Sequence, residues 1–434
     1  MFPYPVAVVS KRSLMPRISE IEIQNVRCFN SVQRANLGRI TLLVGENNVG
    51  KSTFLGCYNA FANLSNFVDL PGGNPFDFPP FSMGSYDTIA RSGTSDFTVA
   101  GKYDSHIHSA ARFCFGRSSN RKQLFEKHVA FTFSGKGKLP THINIATSNG
   151  EGGREGMRLS FQGPDFNFHI DRAEISFVPI STWLSRNVRQ GHLPYNADMA
   201  IFKKRKVPPS KEIVEFGKFI NFFRSEMPLP GGCCFHVNAL EPNIPPRKRR
   251  YQEPPRYMRD AADRASLIRA GSTLGLWQNL ELDDAISGVG TEVNVTIVGG
   301  SYNLFDVGYG VHSLLPLVNT IANAEVPSIF LLQQPEVHVH PVAQAKLAQY
   351  MAEGPHDFII ETHSDHLVDR FRLCVMKQVL RPDELAILYF EKDKDCTETK
   401  IYNISVDSQG NIVNPPDSYR EFFLTETERL LGLQ

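Results

Sequence analysis

No stretch of about eighteen consecutive apolar residues occurs in the 434-residue chain, so no membrane-spanning helix is expected. A dominant charge is also missing. Forty-six Lys and Arg against forty-five Asp and Glu leave a formal +1, which excludes a protein drawn to nucleic acid or to an acidic membrane by its overall field. There is no cysteine framework: seven cysteines, an odd number without repeating spacings, read as reduced thiols of a cytoplasmic protein. The adjacent Cys233 and Cys234 read as packing residues. A secretory leader is not expected, because Pro3 and Pro5 interrupt the opening apolar run and the basic residues follow it. What the chain does have is apolar material, 41% of its residues, enough for a sizeable core in two or three units.

One motif stands out in TLLVGENNVGKSTFLGCYNAF: Gly45-x-x-x-x-Gly50-Lys51-Ser52 has the spacing of a phosphate-binding P-loop. Its context agrees. RITLLV is a β-rich run, and Phe54, Leu55, Tyr58 and Ala62 recur near helical spacing after the loop, giving strand, loop and helix in order. Glycines at both ends let the backbone curl so that its amides converge on phosphate oxygens, helped by the helix N-terminus. The nucleotide-binding set is Gly45, Glu46, Asn47, Asn48, Val49, Gly50, Lys51, Ser52 and Thr53. Lys51 would reach the β- and γ-phosphates of ATP, and Ser52 would ligate Mg2+. Upstream, Ile18, Ile21, Ile23 and Val26 alternate with polar residues, predicting a β-hairpin that runs into this site.

A strand ending in NVRCF shortly before LVGENNVGKST resembles the ATP-binding-cassette (ABC) heads of the RecF, SMC and OLD-type families. Three further segments follow in the same order as in those families. FDVGYGVHSLLPLVNTIANA resembles the signature segment, where Gly308 and Gly310 open a helix that meets the γ-phosphate held by another subunit. SIFLLQQPEVHVHPVAQAKLAQYM resembles the Walker B strand and its helix, and DFIIETHSDHLVDRF the switch segment with His363 reaching the γ-phosphate. The closest likeness is to bacterial AAA-type ATPases of anti-phage defence, whose tails share a strand-rich segment and an aromatic stretch like GNIVNPPDSYREFF.

This likeness implies an α/β fold: a P-loop ABC-type ATPase head with an antiparallel β-lobe and a mainly helical basic insertion. The implied parts are residues 17–182 (first part of the head), 183–275 (insertion) and 276–434 (second part of the head). It also implies ATP sandwiched between two heads, in a homodimer or higher homo-oligomer that controls a separate effector protein in anti-phage defence. Two other readings stand beside this one: a slow or non-hydrolysing ATP-dependent scaffold, and a RecF-like DNA-repair ATPase.

The sequence departs from these families where their Walker B strand ends in aspartate and glutamate. Gln333 and Gln334 stand there. A glutamine amide carries no charge and takes no proton, so Gln333 is a poor metal partner and Gln334 no general base. Two carboxylates could compensate. An extended chain through Pro335 would aim Glu336 to the same side as Gln334, and Glu361 ends the strand before His363. Either acid could activate water while Gln334 positions it, or the site binds ATP and turns it over very slowly. The pairs His338 and His340, and His363 and His366, have spacings that zinc sites use, but the family likeness assigns them to an interface loop and to the switch.

Short alternating runs from DFTVAGKYD to FNFHIDRAEISFVPI predict the antiparallel lobe. His106 and His108 read as part of an ordinary alternating strand. From Trp183 to Ala270, seventeen Lys and Arg stand against eight Asp and Glu, anchored by basic runs at 203–206 and 247–250. The aromatic residues Phe216, Phe219, Phe222, Phe223, Tyr251 and Tyr257 interleave with them. Such a segment could meet nucleic-acid phosphates, an acidic protein, or only solvent. No Toprim-like carboxylate cluster, HNH pattern or Ser-His-Asp arrangement follows the head.

Overall fold

The computed structural model describes residues 17–62, 76–78, 81–105, 125–134, 140–148, 154–162, 165–170, 173–177, 234–238, 250–252, 254, 256–284, 290–395 and 397–419. The chain opens with β1 (Ile18–Gln24), β2 (Gln33–Asn36), β3 (Ile40–Gly45) and helix α1 (Lys51–Ala62). A small pair, β4 (Asp77–Phe78) and β5 (Phe81–Ser82), and a one-turn helix α2 (Tyr86–Ile89) precede six strands. These are β6 (Asp96–Ser105), β7 (Phe125–Ser134), β8 (Pro140–Ser148), β9 (Arg154–Gln162), β10 (Asp165–Ile170) and β11 (Ala173–Phe177). Next come β12 (Cys234–Asn238), α3 (Arg256–Arg259), α4 (Ala261–Leu274), β13 (Asn279–Asp284), β14 (Thr291–Ile297), β15 (Gly300–Asn303) and α5 (Tyr309–Asn323). The last stretch runs β16 (Ile329–Gln333), α6 (Pro341–Glu353), β17 (Asp357–Glu361), α7 (Asp365–Met376), β18 (Leu385–Lys392), β19 (Thr399–Val406) and β20 (Ile412–Val413).

Two large sheets carry the architecture. The first has the order β11-β10-β9-β8-β7-β6-β1-β2 and is antiparallel at every pairing, as the alternating runs predict. In β1 the residues Ile18 and Ile21 are three apart, so a plain strand would aim them to opposite faces. A register shift between Ile18 and Glu20 lets both be buried. The second sheet has the order β12-β16-β17-β3-β18-β19-β20, parallel from β12 to β18. Every residue of β3 is buried, which fits a strand hydrogen-bonded on both edges and covered on both faces.

Alternation along these parallel strands divides two cores. Leu43, Leu331, Ile359 and Leu388 join one cluster with β1, β6, β7 and α1, while Leu42, Leu332, Ile360 and Ile387 join the other with α4, α5, α6 and α7. Helix α1 forms where the spacing predicts one, and it is buried nearly all round. Eleven of its twelve residues are buried, because the first cluster packs β1, β6 and the inner face of the parallel sheet around it.

Two side-chain bonds and one backbone bond lash the lobe to the parallel sheet. Gln33 Oε1 accepts from the Ile401 amide at 3.0 Å, Asn403 Oδ1 from the Asn36 amide at 2.7 Å, and the Cys28 carbonyl from the Thr399 amide at 2.8 Å. At the foot of β3 the buried Arg39 donates to the Ala352 and Gly354 carbonyls at the end of α6 (2.5 and 2.9 Å), a favourable place for a cation.

Within the expected insertion 183–275, residues 234–238 form the edge strand of the parallel sheet, and α4 packs into the second cluster. The basic run 203–206, residues 247–249 of the other run, the Phe216 to Phe223 stretch, His106, His108 and the Phe422–Phe423 pair lie outside the described residues. Of the second run, Arg250 Nε donates to Glu292 Oε1 at 3.0 Å, and the buried Tyr251 bridges Thr291. No helix among the described residues is long and apolar enough to cross a membrane.

Candidate functional site

The C-terminal ends of β3, β17 and β16 lie side by side, Leu43 opposite Glu361 and Glu361 opposite Gln333. Ligands of open parallel sheets bind at such ends. The loop after β3 turns through positive φ at Gly45 (145°), Asn48 (62°) and Gly50 (97°). Its glycines have a steric reason as well. A Cβ on Gly45 would lie 2.3 Å from the Phe390 carbonyl oxygen, and one on Gly50 would lie 2.4 Å from Cys28 Sγ. Glu46, Asn47 and Asn48 are exposed at the loop tip, while Val49 is buried and anchors it.

Lys51 opens α1 with its ammonium folded back over the loop, donating to the Gly45 carbonyl at 2.9 Å and the Glu46 carbonyl at 2.6 Å. Burial lowers its pKa, and the Glu361 and Glu46 carboxylates oppose that shift. Ser52 Oγ donates to Glu361 Oε2 at 2.9 Å, and Gln333 Nε2 approaches the same oxygen at 3.5 Å. Thr53 is buried on α1. The hydroxyl and the ammonium from the start of α1 thus face the carboxylate at the end of β17, with Gln333 approaching from the end of β16. Ser52 and Glu361 offer the hard oxygen donors that Mg2+ takes together with water, whereas Gln333 presents its amide nitrogen.

The chain does not stay extended through Pro335. Gln334 takes φ 46°, its amide donates to the Glu361 carbonyl at 2.7 Å, and the Val337 amide returns to the Gln334 carbonyl at 3.1 Å. The expected alignment of Glu336 with Gln334 on one strand face is thus replaced by a turn, because β16 ends at Gln333. Glu336 instead points Oε1 at the His363 amide, 2.8 Å away. Burial raises the pKa of this carboxyl. His363 sits just past β17, and burial followed by the Lys51 charge lowers its imidazole pKa, favouring the neutral ring.

The histidine pairs are also re-aimed. His338 takes φ 64° and sets its ring edge-on to Tyr309 at 4.7 Å, while His340 caps α6, its Nδ1 accepting from the Val342 amide at 3.3 Å. His363 precedes the cap Ser364 of α7 and His366 follows it, so helical spacing does not apply to that pair. Among the described residues no three or more His, Cys, Asp or Glu side chains converge as a metal set.

Gly308 is the exposed cap residue of α5, and Gly310 lies close enough to the post-β16 loop that a Cβ would sit 3.0 Å from the His338 carbonyl oxygen. Two supports escaped the sequence reading. Cys28, from the β1–β2 turn, underlies Gly50 and approaches the Val49 carbonyl at 3.8 Å. Gln344 of α6 donates to the Glu336 and Val339 carbonyls at 3.3 and 2.8 Å and straps the turn. The short spacing of NVRCF to the P-loop hinted at the first; nothing local marks the second.

Comparison with known proteins agrees with the loop geometry. Residues 17–152 match the family described as AAA ATPase domain, and residues 245–369 match AAA domain, putative AbiEii toxin, Type IV TA system. No curated protein matches the chain. Among solved structures, an Smc head bound to the C-winged helix domain of ScpA is 11% identical with a TM-score of 0.41, over 90% of this chain and 98% of that one. The SMC head domain from Thermotoga maritima is 10% identical with a TM-score of 0.39, over 90% and 99%. An Smc head domain with an extended coiled coil, bound to the C-terminal domain of ScpA derived from Pyrococcus furiosus, is 12% identical with a TM-score of 0.41, over 96% and 99%. The two family matches flank the middle of the chain and take in the P-loop on one side and the ends of β16 and β17 on the other, so the chain is similar to AAA ATPase domains in two separate stretches.

Proposed function

We propose that this chain binds Mg-ATP at the P-loop and hydrolyses it slowly, with Glu361 replacing the acid that Gln333 lacks. The observation that carries this reading is the 2.9 Å contact between Ser52 Oγ and Glu361 Oε2 beside Lys51. Lys51 and the loop amides, from Gly45 to Thr53, would bind the phosphates. Ser52 and Glu361 would hold Mg2+, which supplies charge neutralisation at the phosphate oxygens. Gln334 orients water without accepting its proton, and the neutral His363 offers a ring N–H toward the γ-phosphate side. The exposed Gly308 and the adjacent Gly310, at the start of α5, supply the surface that a second head would present to the nucleotide, so ATP binding is read out as assembly. In this reading the ATPase controls a separate effector in bacterial anti-phage defence. The toxin–antitoxin wording of the family matching residues 245–369 supports that setting.

The glutamines favour a second reading, an ATP-bound switch or scaffold without turnover. Phosphate release from Mg-ATP, measured beside Lys51→Ala and Glu361→Gln, separates the two. The proposal expects turnover that both substitutions remove, with ATP binding weakened in Lys51→Ala. Turnover that survives Glu361→Gln would sink the assignment to Glu361. Tight binding without turnover would establish the switch.

A further inference from the structure

Glu336 is the acid of this site for which the proposed chemistry has no task. Its backbone is tightly placed: the turn begins at Gln334, the Glu336 carbonyl accepts from the Val339 amide at 3.0 Å, and Gln344 Nε2 reaches the same carbonyl. From there the carboxylate crosses to the neighbouring strand end and accepts the His363 amide at 2.8 Å. Another tie joins the same two strand ends, Gln334 N–H to the Glu361 carbonyl at 2.7 Å. The ends of β16 and β17 are thereby joined by a backbone bond and by a side-chain bond, and the side-chain bond lands on His363, whose imidazole feels the Lys51 charge. Burial raises the carboxyl pKa, which alone would suit a proton acceptor. The bond to the His363 amide gives Oε1 a structural task, while Oε2 is buried without a hydrogen-bond partner, so substitution has to separate the two roles.

We propose that Glu336 is a positioning residue for His363: its carboxylate fixes the backbone at the end of β17 so that the imidazole stays at the phosphate side of the site. The proposal rests on the ATP-site reading above and adds the partner that holds the switch histidine. Glutamine and alanine distinguish it from a base. Glutamine keeps an oxygen that accepts the His363 N–H but takes no proton, whereas alanine removes the acceptor.

The experiment compares wild type, Glu336→Gln and Glu336→Ala in two measurements on the full chain. Steady-state ATP turnover should fall at most about threefold in Glu336→Gln and about tenfold or more in Glu336→Ala, with KM for ATP and the affinity for a fluorescent ATP analogue unchanged. Hydrogen exchange of the peptide containing His363, read without nucleotide, should be faster in Glu336→Ala and unchanged in Glu336→Gln. Thermal melting of Glu336→Ala separates a local loss from unfolding. Glutamine as damaging as alanine would overturn the proposal in favour of a base, and equal exchange in all three proteins would overturn it outright. Failure of wild type to bind ATP would refute the site reading instead, while exchange still judges the tie.

Discussion

The ends of β3 and β16 stand on either side of β17, yet they have been treated differently. The loop after β3 keeps every residue of its phosphate-binding pattern, held from below by Cys28 and Phe390. The end of β16 carries Gln333 and Gln334 instead of acids, and its chain turns away at Gln334. What remains on the intervening strand is Glu361, within hydrogen-bonding distance of Ser52 and close to Gln333. In the proposed reading, binding and turnover would be carried by different strand ends, so one could weaken while the other persists.

The sharpest way to break this contrast is to put an acid back. Gln334→Glu should raise phosphate release by roughly 100-fold or more, the usual worth of a positioned general base, with little change in ATP affinity. A flat rate would show that the turn at Gln334 aims residue 334 away from water. Lys51→Ala attacks the intact end. Loss of a charge-assisted phosphate contact, about 1.5–3 kcal/mol, should weaken ATP binding roughly 10- to 100-fold in a fluorescence titration. Gly50→Ala tests the support beneath the loop: a side chain at φ 97° facing Cys28 Sγ at 2.4 Å should cost about 1–3 kcal/mol, read as a lower melting temperature that bound ATP only partly restores.

The smallest effect concerns Glu336. Its folded pKa is raised above the ordinary 4.5, so the folded protein binds the proton more tightly than the unfolded chain, and stability falls as pH rises from about 4.5 through the folded value. Glu336→Gln should therefore melt as high as wild type or slightly higher at pH 7, and this relative gain should vanish below pH ~4.5. A wild-type advantage that grows with pH would contradict the sign.

Much of this was legible beforehand because it is local. The P-loop is one contiguous motif, and β6 to β11 are alternating runs joined in sequence order. Glu361 could be named because a strand end before His363 marks it. The turn at Gln334 could not be read, since it depends on an amide meeting a carbonyl on β17, and Pro335 alone suggested extension. Nor did CFHVN announce itself as the edge of the parallel sheet: five residues in a basic surrounding carry no periodicity that separates a strand from a loop.

The position of β3 has a consequence for how the molecule is made. Its two hydrogen-bonded neighbours, β17 and β18, lie more than three hundred residues later in the chain. The antiparallel lobe pairs mostly consecutive strands and can zip up as they emerge, but the P-loop strand must wait with both edges unpaired. Closing a loop of roughly three hundred residues adds only a slowly growing entropy cost, so the burden falls on rate rather than on final stability. During synthesis, then, the phosphate-binding strand is the exposed, aggregation-prone piece, and the nucleotide site is among the last parts of the protein to exist.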